Sequence, residues 1–151
     1  MFTPIPLQLP SCSPTLKEKD GKVYVFDGLR KKYLLLTPEE WVRQHWISYL
    51  AQHKGYPKSL MHAEAGLKLN DLQKRSDLIV YNPEGEKILL AEFKAPHVKI
   101  TQVVFDQIAR YNIVYRIPLL IVSNGLKHYY CKIDFDKGDY VFLQDLPAYS
   151  L

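Results

Sequence analysis

SDLIVYNPEGEKILLAEFKAP, residues 76–96, decides the reading of this chain. Two apolar runs flank NPEGE, which reads as a β-hairpin, yet the first run carries Asp77 and the second carries Glu92 and Lys94. A hairpin turning symmetrically about Glu84-Gly85 sets Tyr81 opposite Ile88 and Asp77 opposite Glu92. Lys94 then shares the face of Glu92, because side chains alternate along a strand. A slip of one residue would scatter the three charged groups, so the cluster depends on register.

Two close carboxylates repel each other, and apolar surroundings penalise both charges. Such a pair persists if it shares a proton, meets a cation or sits at a wet edge. A divalent ion meets the need directly, and oxygen ligands suit Mg2+ or Mn2+. A neighbouring lysine can orient or help deprotonate a water, or stabilise charge on a phosphate. These are the requirements of phosphodiester hydrolysis. The plain alternative is a surface Glu92–Lys94 ion pair, with Asp77 at the solvent boundary of a strand.

Outward from the hairpin, the chain reads as β-β-α-β-β-β-α-β-β-β. GKVYVFDGLRKKYLLL predicts a hairpin with strands near 22–27 and 32–36 around Asp27-Gly28. TPEEWVRQHWISYLAQH predicts a helix: Thr37 caps it, Pro38 suits its first turn, and Glu40 completes a Thr-x-x-Glu capping box. Val42, Trp46, Tyr49 and Leu50 form its apolar stripe, and Gly55 with Pro57 ends it. SLMHAEAGLKL, residues 59–69, predicts one strand. TQVVFDQIARYNIVY predicts a second helix with Thr101 as its cap, against the pull of its β-branched residues. PLLIVSN and KHYYCKIDF predict strands around a tight Asn124-Gly125 turn, and a last strand falls near 139–143. The fold class is α/β (α+β), a mixed central sheet flanked by helices.

The 151 residues suit one domain over 21–151, preceded by an extended arm, 1–20, rich in proline at Pro4, Pro6, Pro10 and Pro14. Hydrophobic residues make up 47% and charged residues 24%, the balance of a soluble globular protein. The net charge of +4 is compatible with a polyanionic partner without requiring one. No apolar run is long enough to span a bilayer and no signal peptide opens the chain, so a cytoplasmic protein with reduced Cys12 and Cys131 is expected. The five histidines lack zinc-ligand spacing, and no serine or cysteine belongs to a nucleophilic motif.

Four ordered blocks carry a family resemblance: PEEWVRQHWISYL, KRSDLIVYNPEGEKILLAEFKAP, FDQIARYN and LLIVSNGLKHYYCKI. Together they resemble the N-terminal nuclease domain of type I restriction enzyme R subunits, within the PD-(D/E)XK nuclease superfamily. The resemblance covers roughly residues 38 to 134. It implies a restriction-endonuclease-like sheet and a metal-dependent DNA endonuclease using Mg2+ (or Mn2+). By position it implies Asp77 and Glu92 as metal-binding acids, Phe93 as a main-chain carbonyl ligand and Lys94 as the catalytic lysine. It places the first-helix acid on Glu40 and a Gln-x-x-x-Tyr pair on Gln107 and Tyr111, one helical turn apart. Asp77 follows Ser76 where the family pattern has proline.

The R subunits continue into an ATP-driven motor. Here no two of the seven glycines have the spacing of a phosphate-binding loop, so a domain without its own motor is expected. A separate motor or modification subunit is then a candidate partner, and a homodimer is expected of any double-strand cutter of this size. The alternative is a non-cleaving or partner-dependent DNA-binding module of the same fold; a third reading uses the acids only in ion pairs.

Glu40 keeps two readings, catalytic acid and capping-box residue. Glu64 is an alternative third acid. Gln107 and Tyr111 equally suit the polar edge of a packed helix, and Arg43 and Arg110 suit pairing with acids on a solvated face. Arg75 and Lys99, with Lys68 and Lys74, are candidate phosphate contacts, and none is assigned to base readout.

Overall fold

The structure is a computed structural model that describes residues 3–63, 66–69, 72–75 and 77–150, with the main chain alone for 66–69, 72–75 and 111. β1 (Leu16–Lys19), β2 (Lys22–Asp27) and β3 (Lys32–Leu35) form a small antiparallel sheet in that order. The segment read as an arm thus ends in a paired strand, with Leu16 opposite Val25.

Helix α1 (Pro38–His53) begins where the capping chemistry placed it, with the Glu40 N–H donating to Thr37 Oγ1 at 3.1 Å. Only this half of the capping box forms, because the Glu40 carboxylate is turned elsewhere. The helix ends as Gly55 takes φ +75° and the Tyr56 N–H bonds back to the Leu50 carbonyl.

The single strand expected over residues 59–69 is broken. A 3-10 turn at Lys58–Leu60 leads into β4 (Met61–Ala63), and β5 (Gly66–Leu69) pairs instead with β6 (Leu72–Arg75) as a separate two-stranded sheet. The continuous apolar pattern concealed two different partners, β7 for β4 and β6 for β5.

The central sheet adds β7 (Leu78–Tyr81), β8 (Lys87–Phe93), β9 (Leu119–Ser123), β10 (His128–Asp134) and β11 (Asp139–Leu143), in the order β11-β10-β9-β8-β7-β4. Helix α2 (Gln102–Tyr115) joins β8 to β9, which run parallel, while the other neighbours are antiparallel. Thr101 caps α2 by accepting the Val104 N–H at 3.3 Å. Its β-branched residues are tolerated because Phe105, Ile108 and Ala109 bury against the sheet, and packing outweighs propensity.

Strand alternation divides the core into two layers. Val42, Trp46 and Leu50 of α1 pack on Leu78, Val80, Leu89, Ala91, Phe93 and Ile121. On the opposite face, Phe105, Ile108 and Ala109 of α2 pack on Ile79, Leu90, Leu120 and Val122. The parallel strands β8 and β9 end side by side at Phe93 and Ser123, so their loops leave the sheet at one edge. Such an edge is where open α/β sheets present ligand sites.

Candidate active site

The hairpin keeps the expected register where it matters. Leu78 lies opposite Ala91, Ile79 opposite Leu90 and Val80 opposite Leu89, and one further step brings Asp77 opposite Glu92. Near the turn the expectation fails: Tyr81 pairs with Lys87, not Ile88, across an irregularity between Val80 and Tyr81. The cause is the loop, which closes through the Asn82 N–H to the Glu86 carbonyl and sets Gly85 at φ +83°. An extra residue is absorbed as a bulge, and the pairing recovers before it reaches the charged end.

Asp77 sits just before β7 and turns its carboxylate onto the next strand, where Oδ2 accepts the Phe93 N–H at 2.6 Å. This bond fixes the acid beside the Glu92–Phe93 peptide. Glu92 is buried and falls in step with Leu90, on the sheet face that α2 covers. Lys94 is half-buried, and its N–H donates to the Ser123 carbonyl at 2.8 Å, extending the β8/β9 pairing past the strand end. Asp77, Glu92, Phe93 and Lys94 therefore gather at one edge.

Glu40 reaches this edge through an arginine. Arg43 Nη1 donates to Glu40 Oε1 at 3.0 Å, while Nη2 lies 3.5 Å from Asp77 Oδ1. Both α1 side chains are nearly inaccessible, at 6% for Arg43 and 8% for Glu40. Gln44 Nε2 donates to Glu40 Oε2 at 2.9 Å, and Arg30 Nη2 lies 3.4 Å from Oε1. Arg30 in turn pairs with the fully buried Asp27 of β2. The result is an alternating chain of charges, Asp27, Arg30, Glu40, Arg43, Asp77, running from the small sheet through α1 to the hairpin. Alternation of sign sets each charge beside an opposite one, and the surplus acid, Asp77, lies at the partly exposed end of the chain. The Glu40/Arg43 spacing of three residues was the visible signal for this link; Arg30 carried none.

Of the other candidates, Gln107 and Lys99 make no hydrogen bond to the described residues of the hairpin. Gln107 lies exposed on α2, and its side chain makes no hydrogen bond among the described residues. Lys99 is exposed in the loop after β8. Arg75 lies in β6 and Tyr111 in α2, but their side chains, like those of Lys68 and Lys74, fall outside the described residues, as does Glu64 altogether.

A second buried set supports the edge from behind. Trp46 stacks on Phe93 with centroids 6.2 Å apart, and its Nε1–H donates to Ser123 Oγ at 2.9 Å. Ser123 Oγ also accepts the Gly125 N–H at 2.9 Å, so its own proton goes to His128 Nδ1 at 2.7 Å. His128 Nε2–H then donates to the Gln8 carbonyl at 2.7 Å. This arrangement requires the neutral imidazole, and burial accordingly lowers the His128 pKa from its ordinary value. Ser123 and His128 are thus fully engaged in structure.

Among the described residues, no group of three or more His, Cys, Asp or Glu side chains is placed to hold a metal ion. Glu40 is engaged by Arg43, Arg30 and Gln44. The donors at the edge are two carboxylates and a main-chain carbonyl, all hard oxygens. That set fits Mg2+, which keeps several waters and binds proteins through one or two carboxylates plus substrate phosphate.

Residues 38–147 match the family described as Type I restriction enzyme R protein N terminus. A search of curated proteins finds no match to the chain. Among solved structures, the chain is similar to a fragment assigned as an HsdR subunit of a type I restriction enzyme from Vibrio vulnificus YJ016, with TM-score 0.52 and 16% identity. The match covers 75% of this chain and 24% of that one, so the likeness concerns the fold of about a quarter of the longer protein.

Proposed function

Because the chain belongs to the family of the type I restriction enzyme R protein N terminus, we propose that its domain is a nuclease module that hydrolyses DNA phosphodiester bonds with a divalent metal ion. The observation that carries the reading is the Asp77–Phe93 hydrogen bond of 2.6 Å, which sets one acid beside the Glu92–Phe93–Lys94 segment in the required register. Asp77, Glu92 and the Phe93 carbonyl would hold Mg2+ or Mn2+. When bound, the ion supplies Lewis acidity and a nucleophile at neutral pH.

The chain's own groups do the rest. Lys94, one residue beyond β8, places an ammonium at the same edge, where it orients the attacking water and offsets negative charge growing on the phosphate. Arg43 and Glu40 act as positioning residues: the guanidinium is braced by Glu40 and bears on Asp77, restricting the carboxylate. Gln107 contributes from α2, in the layer that covers the Glu92 face, and Tyr111, one turn on, with Arg75 and Lys99, contacts the DNA backbone. Cleavage of both strands calls for a homodimer, and motor or modification subunits are candidate partners. No helix among the described residues is long and apolar enough to cross a membrane.

The engagement of Asp77 by both the Phe93 N–H and Arg43 favours a second reading, a DNA-binding module that cleaves only with a partner. Titration of Mn2+ into wild type and Asp77→Asn, read by calorimetry, tests the metal site apart from turnover. Saturable binding to wild type that is lost in the variant supports the proposal. Identical isotherms refute it.

A further inference from the structure

Beside the candidate active site lies a groove of about 320 Å3 between the loop that follows β8 and the loop that joins β9 to β10. We propose that this groove is a binding site for the DNA sugar–phosphate backbone, gripping the strand next to the bond that is cut. The inference rests on the nuclease reading and extends it to a surface outside the catalytic hairpin.

Position is the first argument. Both loops leave the sheet at the shared end of the parallel pair, after Phe93 and Ser123, and Lys94 begins one of them. A strand whose phosphate reaches Lys94 has this groove as its continuation.

Charge is the second. His97, Lys99 and Lys127 line the groove and are exposed, and no Asp or Glu is among its lining residues. Phosphates, spaced regularly along a strand, call for separated cations such as Lys99 and Lys127 rather than a single pocket. Tyr129, half-buried on one wall, adds a hydroxyl and a ring against which a sugar can rest.

Rigidity is the third. Asn124 is buried and ties the two loops together: its Nδ2 donates to the Val98 carbonyl at 2.9 Å, and its Oδ1 accepts the N–H groups of Leu126 at 2.9 Å and Lys127 at 2.8 Å. The Val98 N–H is itself held by the Ala95 carbonyl. Loops fixed in this way carry their lysines to a ligand at little ordering cost, as a binding site requires. An Asn-Gly sequence that reads as a simple hairpin turn is therefore used as a clamp between two loops.

The test compares Lys99→Ala/Lys127→Ala with Lys17→Ala/Lys19→Ala, which removes the same charge from the exposed face of β1. Binding of a short fluorescein-labelled duplex is followed by anisotropy in EDTA over a salt series, with thermal melts as the fold control. Each lost phosphate contact flattens the plot of log K against log salt by about 0.9, so the groove variant is expected to lose about 1.8 from the slope and the β1 variant nothing. Equal losses in both variants, or none in either, overturn the groove. Metal-dependent cleavage with unchanged binding by the groove variant refutes the groove and leaves the nuclease reading standing. A wild type that binds no DNA refutes both.

Discussion

Replacing Arg43 with alanine removes the guanidinium that joins α1 to the hairpin, and the structure sets the scale of the loss. Arg43 and Glu40 are almost wholly shielded, and their contact is 3.0 Å. Removing one partner of a buried ion pair costs about 3–5 kcal/mol, because the other charge is left in a poor solvent. Here Glu40 keeps Gln44 at 2.9 Å and Arg30 at 3.4 Å, so the low end, about 3 kcal/mol, is expected. For a chain of this length that corresponds to a fall in Tm of about 6–12 °C. Urea denaturation of wild type, Arg43→Ala, Glu40→Gln and the double variant measures the coupling. Glu40→Gln should cost less in the Arg43→Ala background than in wild type, by about 1–3 kcal/mol. An Arg43→Ala loss below about 0.5 kcal/mol, the scale of a surface pair, refutes the charge chain as described. Arg43→Lys keeps the charge but loses the fork that reaches both Glu40 and Asp77, so it should restore only part of the stability.

Two further outcomes follow from the packing behind the site. Burial depresses the pKa of both His128 and His45 in the folded chain, so the unfolded chain binds more protons below its own value, near 6.5. Stability is therefore complete above about pH 6.5 and falls as the pH drops below it, and His128→Gln should flatten the change in urea midpoint between pH 7.5 and 5.5; a midpoint that rises on acidification contradicts the neutral assignment. Asp106, held down by the Tyr140 hydroxyl, and Asp145, held down by Lys54, titrate below this window and leave it clear. Gly125 takes φ +85°, and a Cβ there would lie 2.9 Å from Leu7 Cδ2 and 3.1 Å from Val42 Cγ2. Gly125→Ala should cost about 1–3 kcal/mol, with partial recovery in Gly125→Ala/Leu7→Ala; a neutral substitution would contradict both the left-handed backbone at Gly125 and the close approach of Leu7 and Val42.

Most of the frame was legible because local signals and packing agreed. Thr37, Pro38 and Gly55 marked the ends of α1, and the Val42, Trp46, Leu50 stripe named its buried face. The Asp77–Glu92 alignment was read from the NPEGE turn alone, because β7 and β8 are buried on both faces and their apolar runs do not fix a register. What escaped the sequence depended on partners far along the chain. β4 and β5 read as one strand because an apolar pattern states burial, not which neighbour supplies the hydrogen bonds. Glu40 was readable as a cap or as an acid, but its pairing with Arg30 depends on how the β2–β3 turn meets α1. Likewise, Asn124-Gly125 announced a turn, whereas the Asn124 tie to Val98 depends on two strands ending together.

The central claim is that Asp77, Glu92 and Lys94 form a hydrolytic centre. The most direct measurement is cleavage of supercoiled plasmid in Mg2+, in Mn2+ and in EDTA, with wild type beside Lys94→Ala. The Lys94 main chain is held by Ser123, so truncating its side chain should leave the strand end in place. The account predicts nicking by wild type in either metal, none in EDTA, and loss of nicking in Lys94→Ala at an unchanged Tm. Cleavage that survives in EDTA, or that Lys94→Ala retains in full, contradicts it. Absence of cleavage by wild type in every condition also contradicts it and leaves the partner-dependent binding module as the reading.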